Sequence, residues 1–221
     1  MSNIGQIINH NGYSFRSDIG MMTPSQYVHM IHMLESLKPK RICEFGSGES
    51  TKIFNKYVEN NGGIRYSIEH NEMYHHYNNT VMFPLVFGKD FYSYSNCVLY
   101  NGFERWLNGE ECFDFIFIDG PNDGIPFNDI GLKYCRIQLL DFVIMNKMKN
   151  NCTVMYHDSE RDIAQNTLKE FESLLHSNHY TFSKDVVKEI DDEYVEYNKR
   201  ILGKCPELTT YKINKNEQPV N

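Results

Sequence analysis

The chain has 221 residues with a net charge of -7, and 41% of its residues are hydrophobic. This length and composition predict a single folded domain over residues 1–221, with a sizeable core. No dense cluster of Lys and Arg stands out, which argues against nucleic acid as a partner. Because the chain shows neither a secretory signal pattern nor an apolar run of membrane-spanning length, we expect a cytoplasmic protein. The six cysteines are scattered, which predicts buried free thiols.

The first part of the chain predicts one helix and one strand. Residues 1–22 carry no clear apolar period, so we expect a flap over the site or a disordered segment there. Thr23 and Pro24 then begin a helix, because proline suits the first helical turn. The apolar run Arg41–Phe45 follows the end of this helix and predicts the first strand.

A glycine turn follows the first strand, with the sequence Glu-Phe-Gly-Ser-Gly-Glu-Ser-Thr over residues 44–51 and a predicted helix from Ser50 to Glu59. Glycine allows a sharp turn and close approach of a ligand, so we expect a binding site at the end of a central parallel strand. A dinucleotide site would have a third glycine where Thr51 stands, and a phosphate-binding loop would end in Gly-Lys-Ser/Thr. The turn therefore disfavours NAD and nucleoside triphosphates.

Glu69 is a candidate ligand for a ribose. It ends the predicted second strand, residues 64–68, and lies about 20 residues after the glycine turn, the spacing at which an acid meets a ribose diol in Rossmann-type sites. A carboxylate can accept hydrogen bonds from both hydroxyls. The position of Glu69 therefore predicts a cofactor that carries a nucleoside, but it does not distinguish between such cofactors. The alternative is that Glu69 is a solvated acid at the end of a strand.

The middle of the chain places Asp119 at a strand end. Residues 78–96 suggest an irregular segment or an extra strand, and Cys97–Tyr100 predicts the third strand. The apolar run 113–118 predicts a buried central strand that ends at Asp119. A carboxylate at the end of a buried strand is costly unless it is paired, hydrated or coordinating something, so Asp119 is a candidate site residue.

A long helix is predicted over residues 127–149, with a break near Gly131 left open. A fifth strand is predicted over Cys152–Tyr156 and leads into His157 and Asp158. Histidine titrates near neutrality, which makes His157 a candidate general base. Asp158 could orient this histidine, or could join Asp119 in offering oxygen ligands to Mg²⁺, Mn²⁺ or Ca²⁺. The alternative for this pair is a capped helix start with a hydrogen-bonded histidine.

The C-terminal part predicts a helix after Ser159 and two last strands over residues 179–184 and 208–213. The charged stretch 185–204 between these strands is expected to be partly helical. Residues 214–221 are expected to be a disordered tail.

Two segments resemble motifs of the class I S-adenosylmethionine (AdoMet) methyltransferases. The glycine turn resembles their motif I, and Phe-Asp-x-Ile-Phe-Ile-Asp-Gly over residues 113–120 resembles motif IV. The resemblance implies an α/β, Rossmann-like fold with a mainly parallel seven-stranded sheet and helices on both faces. It also implies that AdoMet is the cofactor. In such enzymes the glycine turn passes the methionine part, the turn after the third strand borders the adenine, and the motif IV acid faces the methyl group or binds a divalent cation. The implied cofactor-binding residues are Glu44, Gly46, Ser47, Gly48, Ser50, Thr51, Glu69, Asn101, Gly102 and Asp119.

A second resemblance concerns the methyl acceptor. The Asp-Gly-Pro of residues 119–121 and the His-Asp-x-x-Arg of residues 157–161 are similar to elements of polysaccharide-biosynthesis enzymes that O-methylate glucuronic acid in xylan. This implies O-methylation of a sugar or polysaccharide precursor, or of another hydroxylated small molecule. His157 would act as the base, Asp119 and Asp158 would orient the acceptor or bind a metal, and Arg161 would grip a carboxylate or phosphate.

Two other functions stay open at this point, an NAD-dependent oxidoreductase or epimerase and a non-catalytic nucleoside-binding module. The expected partner is a small-molecule or glycan acceptor, without nucleic acid and without a membrane span. A homo-oligomer is left open.

Overall fold

The computed structural model of the protein describes residues 5–18, 21–75, 77–121, 131–189 and 192–216. Its strands are β1 (Ile7–His10), β2 (Tyr13–Arg16), β3 (Arg41–Phe45), β4 (Ile64–Glu69), β5 (Thr80–Met82), β6 (Leu85–Phe91), β7 (Tyr94–Tyr100), β8 (Phe113–Ile118), β9 (Met148–His157), β10 (Tyr180–Val187) and β11 (Leu208–Lys215). Its α-helices are α1 (Pro24–Leu37), α2 (Glu49–Asn61), α3 (Phe103–Gly109), α4 (Leu139–Ile144), α5 (Asp162–Ser177) and α6 (Asp192–Leu202).

Seven strands form the central sheet, in the order β10-β11-β9-β8-β3-β4-β5. β11 is antiparallel to both of its neighbours, and the other neighbouring pairs are parallel. Phe45 pairs with Ile68 on one side and with Ile118 on the other, so these strands end level with one another. The residues that follow β3, β4, β8 and β9 therefore meet at one edge of the sheet, which confirms the predicted Rossmann-like fold.

Both faces of the sheet are covered by helices. The hairpin β1–β2, α1 and α2 contribute to one cluster of buried side chains, and α3, α4 and α5 contribute to the other. Along β8, Phe115 and Phe117 belong to the first cluster, whereas Ile116 and Ile118 belong to the second. This alternation is the strand period of two, and it explains why a strand buried on both faces is apolar at nearly every position.

The prediction of Cys97–Tyr100 as the third strand of the sheet is wrong. These residues belong to β7, which pairs with β6 in a separate two-stranded sheet. The sheet position beside β4 is taken by β5, which has three partly buried residues. The end of β7 is a longer apolar run than β5, and its residues Cys97, Val98 and Tyr100 are buried. The apolar pattern therefore indicated β7 instead of the shorter strand β5.

The predicted long helix over residues 127–149 is also wrong in the part that the structure describes, residues 131–149. Its helical part is α4 alone, and β9 already begins at Met148. Arg136 and Asn146 have φ values of 58° and 53°, and this left-handed backbone interrupts a helix on each side of α4. Residues 122–130 lie outside the described part of the chain.

The two ends of the chain add smaller elements. The predicted N-terminal flap or disordered segment contains the hairpin β1–β2, while residues 1–4 and 19–20 lie outside the described part. The predicted disordered tail begins within β11, and residues 217–221 are not described. All six cysteines are free thiols, four of them buried. Among the described residues, no helix is both long enough and apolar enough to cross a membrane.

Candidate active site

A cavity of about 560 Å³ opens at the carboxyl edge of the sheet, and we call it the glycine-turn cavity. It is lined by Gly46–Ser50, Glu69–Asn71 and Asp119–Pro121, with Met22 and Tyr27 on the side of α1. Its volume lies within the range of small-molecule sites. Three of the predicted strand ends thus contribute to one cavity.

The floor of this cavity is backbone, because two glycines touch there. Gly46 has a φ of 85°, in the left-handed region that glycine tolerates. A Cβ on Gly120 would lie 2.8 Å from the nitrogen of Gly46 and 2.9 Å from the hydroxyl of Tyr100. The turn after β3 and the turn after β8 are therefore in direct contact, and a ligand can lie against both.

Glu69 is held in an ionised state at the wall of the cavity. Its carboxylate accepts hydrogen bonds from the backbone N–H groups of Ser47 at 2.8 Å, His70 at 2.7 Å and Asn71 at 2.9 Å. Burial raises the pKa of Glu69, but the hydrogen bonds from His70, Asn71 and Ser47 outweigh it and hold the pKa below its ordinary value. This carboxylate both shapes the glycine turn and faces the cavity.

Glu44 lies behind the turn, and neither Glu44 nor Thr51 is among the described residues that line the cavity. The buried carboxylate accepts hydrogen bonds from the hydroxyls of Ser50 at 2.5 Å, Thr51 at 2.8 Å and Ser67 at 2.6 Å. Arg65 lies 3.8 Å from it, and burial raises the pKa of Glu44 to about 7. Glu44 therefore ties the start of α2 to β4, which shapes the turn from the inside.

Asp119 and His157 form a pair, with the carboxylate toward the cavity and the imidazole behind it. Nδ1 of His157 lies 2.7 Å from Oδ1 of Asp119. The side chain of Asp119 is 35% exposed and lines the cavity, whereas that of His157 is fully buried. Burial lowers the pKa of His157, but the charges of Asp158 and Asp119 outweigh it and raise the pKa to about 9. Burial raises the pKa of Asp119, and the charge and hydrogen bond of His157 reverse this to a lowered value. Both shifts favour the charged form of the pair, with a proton on His157 and none on Asp119.

Arg136 is a site residue that the sequence reasoning missed. Its buried guanidinium donates hydrogen bonds to the backbone carbonyls of His157 at 2.6 Å, Asp119 at 3.0 Å and Pro121 at 3.2 Å. It also donates to Oδ2 of Asp158 at 3.4 Å. No motif marked this residue, because its role depends on the turn that replaces the predicted helix.

The charges around the acidic cluster disfavour the predicted divalent cation. Ligand atoms of Asp119, His157 and Asp158 lie within 4.8 Å of one another, which is the geometry of a candidate metal site. However, Oδ2 of Asp158 lies 2.8 Å from Arg161 and 3.4 Å from Arg136. Two guanidiniums therefore already pair with Asp158, and a divalent cation there would meet two positive groups that do not deprotonate. Oδ1 of Asp158 and Nε2 of His157 have no partner among the described residues, but these three side chains alone do not supply the six or more oxygens that Mg²⁺ or Ca²⁺ takes.

Asn101 and Gly102, the predicted adenine neighbours, line a second cavity of about 710 Å³, which we call the hairpin cavity. It lies between the hairpin β6–β7 and α3, and Tyr100 lines both cavities. Arg161 lies outside the described lining of the glycine-turn cavity, beside Asp158.

Comparison with solved structures connects this architecture to a known fold. The SAH-bound methyltransferase PaMTH1 of Podospora anserina aligns with a TM-score of 0.52 and 14% identity, over 89% of this chain and 80% of that chain. The chain has the Rossmann-like methyltransferase fold. An O-methyltransferase from Bacillus cereus in complex with SAH aligns with a TM-score of 0.51 and 11% identity, over 87% and 82% of the two chains. The O-methyltransferase TomG of Streptomyces achromogenes, in complex with SAM, aligns with a TM-score of 0.53 and 11% identity, over 90% of this chain and 83% of that chain.

These identities are low, so the likeness establishes the fold and not the reaction. No protein-family model matches the sequence, and no curated relative matches it either. The similarity of the short motifs to polysaccharide O-methyltransferases stays a prediction.

Proposed function

We propose that the protein is an AdoMet-dependent O-methyltransferase that acts on a hydroxyl group of a sugar or another hydroxylated small molecule. The observation that carries the proposal is one cavity lined by the glycine turn, Glu69 and Asp119, within a fold shared with AdoMet enzymes. The partner expected at this cavity is a small-molecule acceptor.

The charges of the cavity suit AdoMet better than a nucleotide. Glu69 is ionised and lines the cavity, where its carboxylate can accept hydrogen bonds from a ribose diol in exchange for those of the Ser47 and His70 side chains. Asp119 adds a second carboxylate that faces the same space. Two carboxylates attract a sulfonium and repel a diphosphate, which disfavours NAD at this site.

Methyl transfer is an in-line displacement at a carbon that the sulfonium already activates, so positioning supplies much of the catalysis. We assign the contact with the acceptor hydroxyl to Asp119, because its carboxylate faces the cavity and is ionised. This carboxylate would accept a hydrogen bond from the hydroxyl and take its proton as the new C–O bond forms and the bond between the methyl carbon and the sulfur breaks, which leaves S-adenosylhomocysteine; the proton then passes to solvent. His157, which the sequence analysis assigned as the base, is buried and protonated; we assign it the orientation of Asp119.

The acceptor class follows from the motifs that include Asp119, His157 and Arg161. Arg161 is 23% exposed at the start of α5, next to Asp158, so it can meet an anionic group of the acceptor at the edge of the site. A divalent cation is not part of the proposal, because Arg136 and Arg161 already neutralise the carboxylates.

Isothermal titration calorimetry with S-adenosylhomocysteine, AdoMet and NAD tests the proposal. We expect binding of the first two ligands and none of NAD. Glu69→Gln, which removes a charge and an acceptor at constant shape, should weaken S-adenosylhomocysteine binding about tenfold. Glu72→Gln, an exposed neighbour outside the cavity lining, serves as the matched control. Binding of NAD alone, or equal affinities in all variants, would contradict the proposal.

A further inference from the structure

Tyr100 stands at the wall between the two cavities. It is the last residue of β7, its side chain is 1% exposed, and it lines both the glycine-turn cavity and the hairpin cavity. The side-chain amide of Gln138 makes two hydrogen bonds to the backbone of Tyr100. It accepts from the N–H of Tyr100 at 2.5 Å and donates to the carbonyl of Tyr100 at 3.1 Å. The ring also packs edge-on against Phe45, with centroids 5.7 Å apart. The phenol is therefore held rigidly, although β7 lies outside the central sheet.

The hydroxyl of this tyrosine lies at the floor of the glycine-turn cavity. It is 2.9 Å from the position that a Cβ on Gly120 would take, next to the contact between Gly120 and Gly46. Oη of Tyr100 is buried and has no hydrogen-bond partner among the described residues. A buried hydroxyl without a partner destabilises a folded protein, and native structures usually supply one from protein, water or ligand.

The hydroxyl of Tyr100 can donate one hydrogen bond, and the structure must supply an acceptor for it. Burial, together with the charge of Glu69, raises the pKa of Tyr100 well above its ordinary value, so the phenol stays neutral. No described residue, Glu69 included, accepts a hydrogen bond from Oη of Tyr100. The remaining candidate acceptor is a molecule bound in the cavity itself.

We propose that Oη of Tyr100 donates a hydrogen bond to the nucleoside part of bound AdoMet and fixes it against the floor formed by Gly46 and Gly120. This inference rests on the proposed function. The nucleoside is favoured over the methionine part because the ring of Tyr100 lies 6.2 Å from that of His70, the residue after Glu69, to which the proposed function assigns the ribose. Ribose oxygens and adenine nitrogens offer the acceptors that the phenol lacks.

The substitution Tyr100→Phe removes Oη alone and tests this role. We expect the affinity for S-adenosylhomocysteine to fall about tenfold by calorimetry, the size of one buried hydrogen bond. The affinity for methylthioadenosine, which keeps the nucleoside and lacks the amino acid, should fall by the same factor. Without ligand, the variant should unfold at the same temperature as the wild type or at a higher one, because a hydroxyl without a partner is gone.

Tyr57→Phe is the matched control. The hydroxyl of this buried tyrosine donates to the carbonyl of Pro39 at 3.1 Å, in the other buried cluster. Its loss should lower the unfolding temperature and leave both ligand affinities unchanged.

The outcomes separate this inference from the proposed function. Equal affinities of Tyr100→Phe and wild type overturn the role of Tyr100 and leave the function intact. A loss for S-adenosylhomocysteine without a loss for methylthioadenosine overturns the assignment to the nucleoside. A lower unfolding temperature without ligand, at unchanged affinities, shows that the hydroxyl has a structural partner. A wild type that binds neither ligand overturns the function and this inference together.

Discussion

Carboxylates at the ends of neighbouring strands differ in their surroundings, and this difference gives them different tasks. Glu44 is covered by the start of α2, and burial raises its pKa to about 7. Glu69 and Asp119 reach the cavity, and their hydrogen-bonded or charged partners lower their pKa values. Sequence position predicted that all three lie at one edge of the sheet. It could not predict which of them helix α2 covers, because that depends on tertiary packing.

The same reason explains the change of role for His157. The sequence placed this histidine correctly at the end of β9, next to Asp119. Its complete burial depends on what packs around it, and the charges of Asp158 and Asp119 raise its pKa against the opposing effects of burial and Arg136. A strand-end position therefore identifies site residues better than it distinguishes a base from the residue that orients it.

Glu44→Gln is expected to reduce the pH dependence of stability. The folded-state pKa of Glu44, about 7, lies above the ordinary value of 4.5, so ionisation disfavours the folded protein. The stabilisation from the neutral carboxyl is fully present below about pH 4.5 and is lost as the pH rises through 7. Ionisation of Glu44 should lower the free energy of unfolding of the wild type by on the order of 2 kcal/mol between pH 5 and 8. Asp141, whose pKa burial also raises to about 7, keeps a remaining slope in the variant.

Urea unfolding at several pH values between 5 and 8 measures this effect. Glu59→Gln, at an exposed position of the same helix α2, is the control and should keep the wild-type slope. Identical slopes in Glu44→Gln and the wild type would show that Glu44 does not titrate in this range.

At the scale of elements, the site depends on how the ends of β8 and β9 are joined. Arg136 joins them through hydrogen bonds to the carbonyls of Asp119 and His157, and it can do so because its backbone is left-handed. The sequence predicted a helix through this position because apolar residues are frequent on both sides of Arg136. Many of these apolar residues belong to the short helix α4, which is buried on nearly all sides by the core instead of forming one apolar stripe of a long helix.

Arg136→Met keeps much of the side-chain volume and removes the charge and every donor. Its loss leaves three carbonyls and the buried Asp158 without this partner, so we expect a destabilisation of about 3 kcal/mol. Urea unfolding measures it, and Arg105→Met at an exposed position of α3 is the control. A destabilisation equal to that of the control would mean that Arg136 does not hold the strand ends together.

At the scale of the whole molecule, the order of strands and helices was predictable because each central strand is a compact apolar run followed by a turn. Besides the long helix, the sequence misjudged β5, which is too short to carry a pattern, and the hairpin β6–β7, which interrupts the alternation of strand and helix. The site followed from the fold, since parallel strands bring their carboxyl ends together. The charge balance of the site could not be predicted in this way, because Arg136 lies outside the recognised motifs.

That charge balance predicts a metal-independent protein. We expect methyl transfer to continue in excess EDTA, and titration with Mn²⁺ to show no saturable binding by electron paramagnetic resonance. The physical reason is the repulsion between a divalent cation and the two guanidiniums beside Asp158. Loss of activity in EDTA that added Mg²⁺ or Mn²⁺ restores would contradict this, as would a tight Mn²⁺ signal.

The central claim is that the glycine-turn cavity binds AdoMet, and a crystal structure of the protein with S-adenosylhomocysteine tests it most directly. We predict ligand density along Gly46–Gly48, with the ribose hydroxyls at Glu69 and the sulfur facing Asp119. Density for the ligand at another place on the molecule, or an empty cavity in crystals of a protein that binds it in solution, would contradict the account.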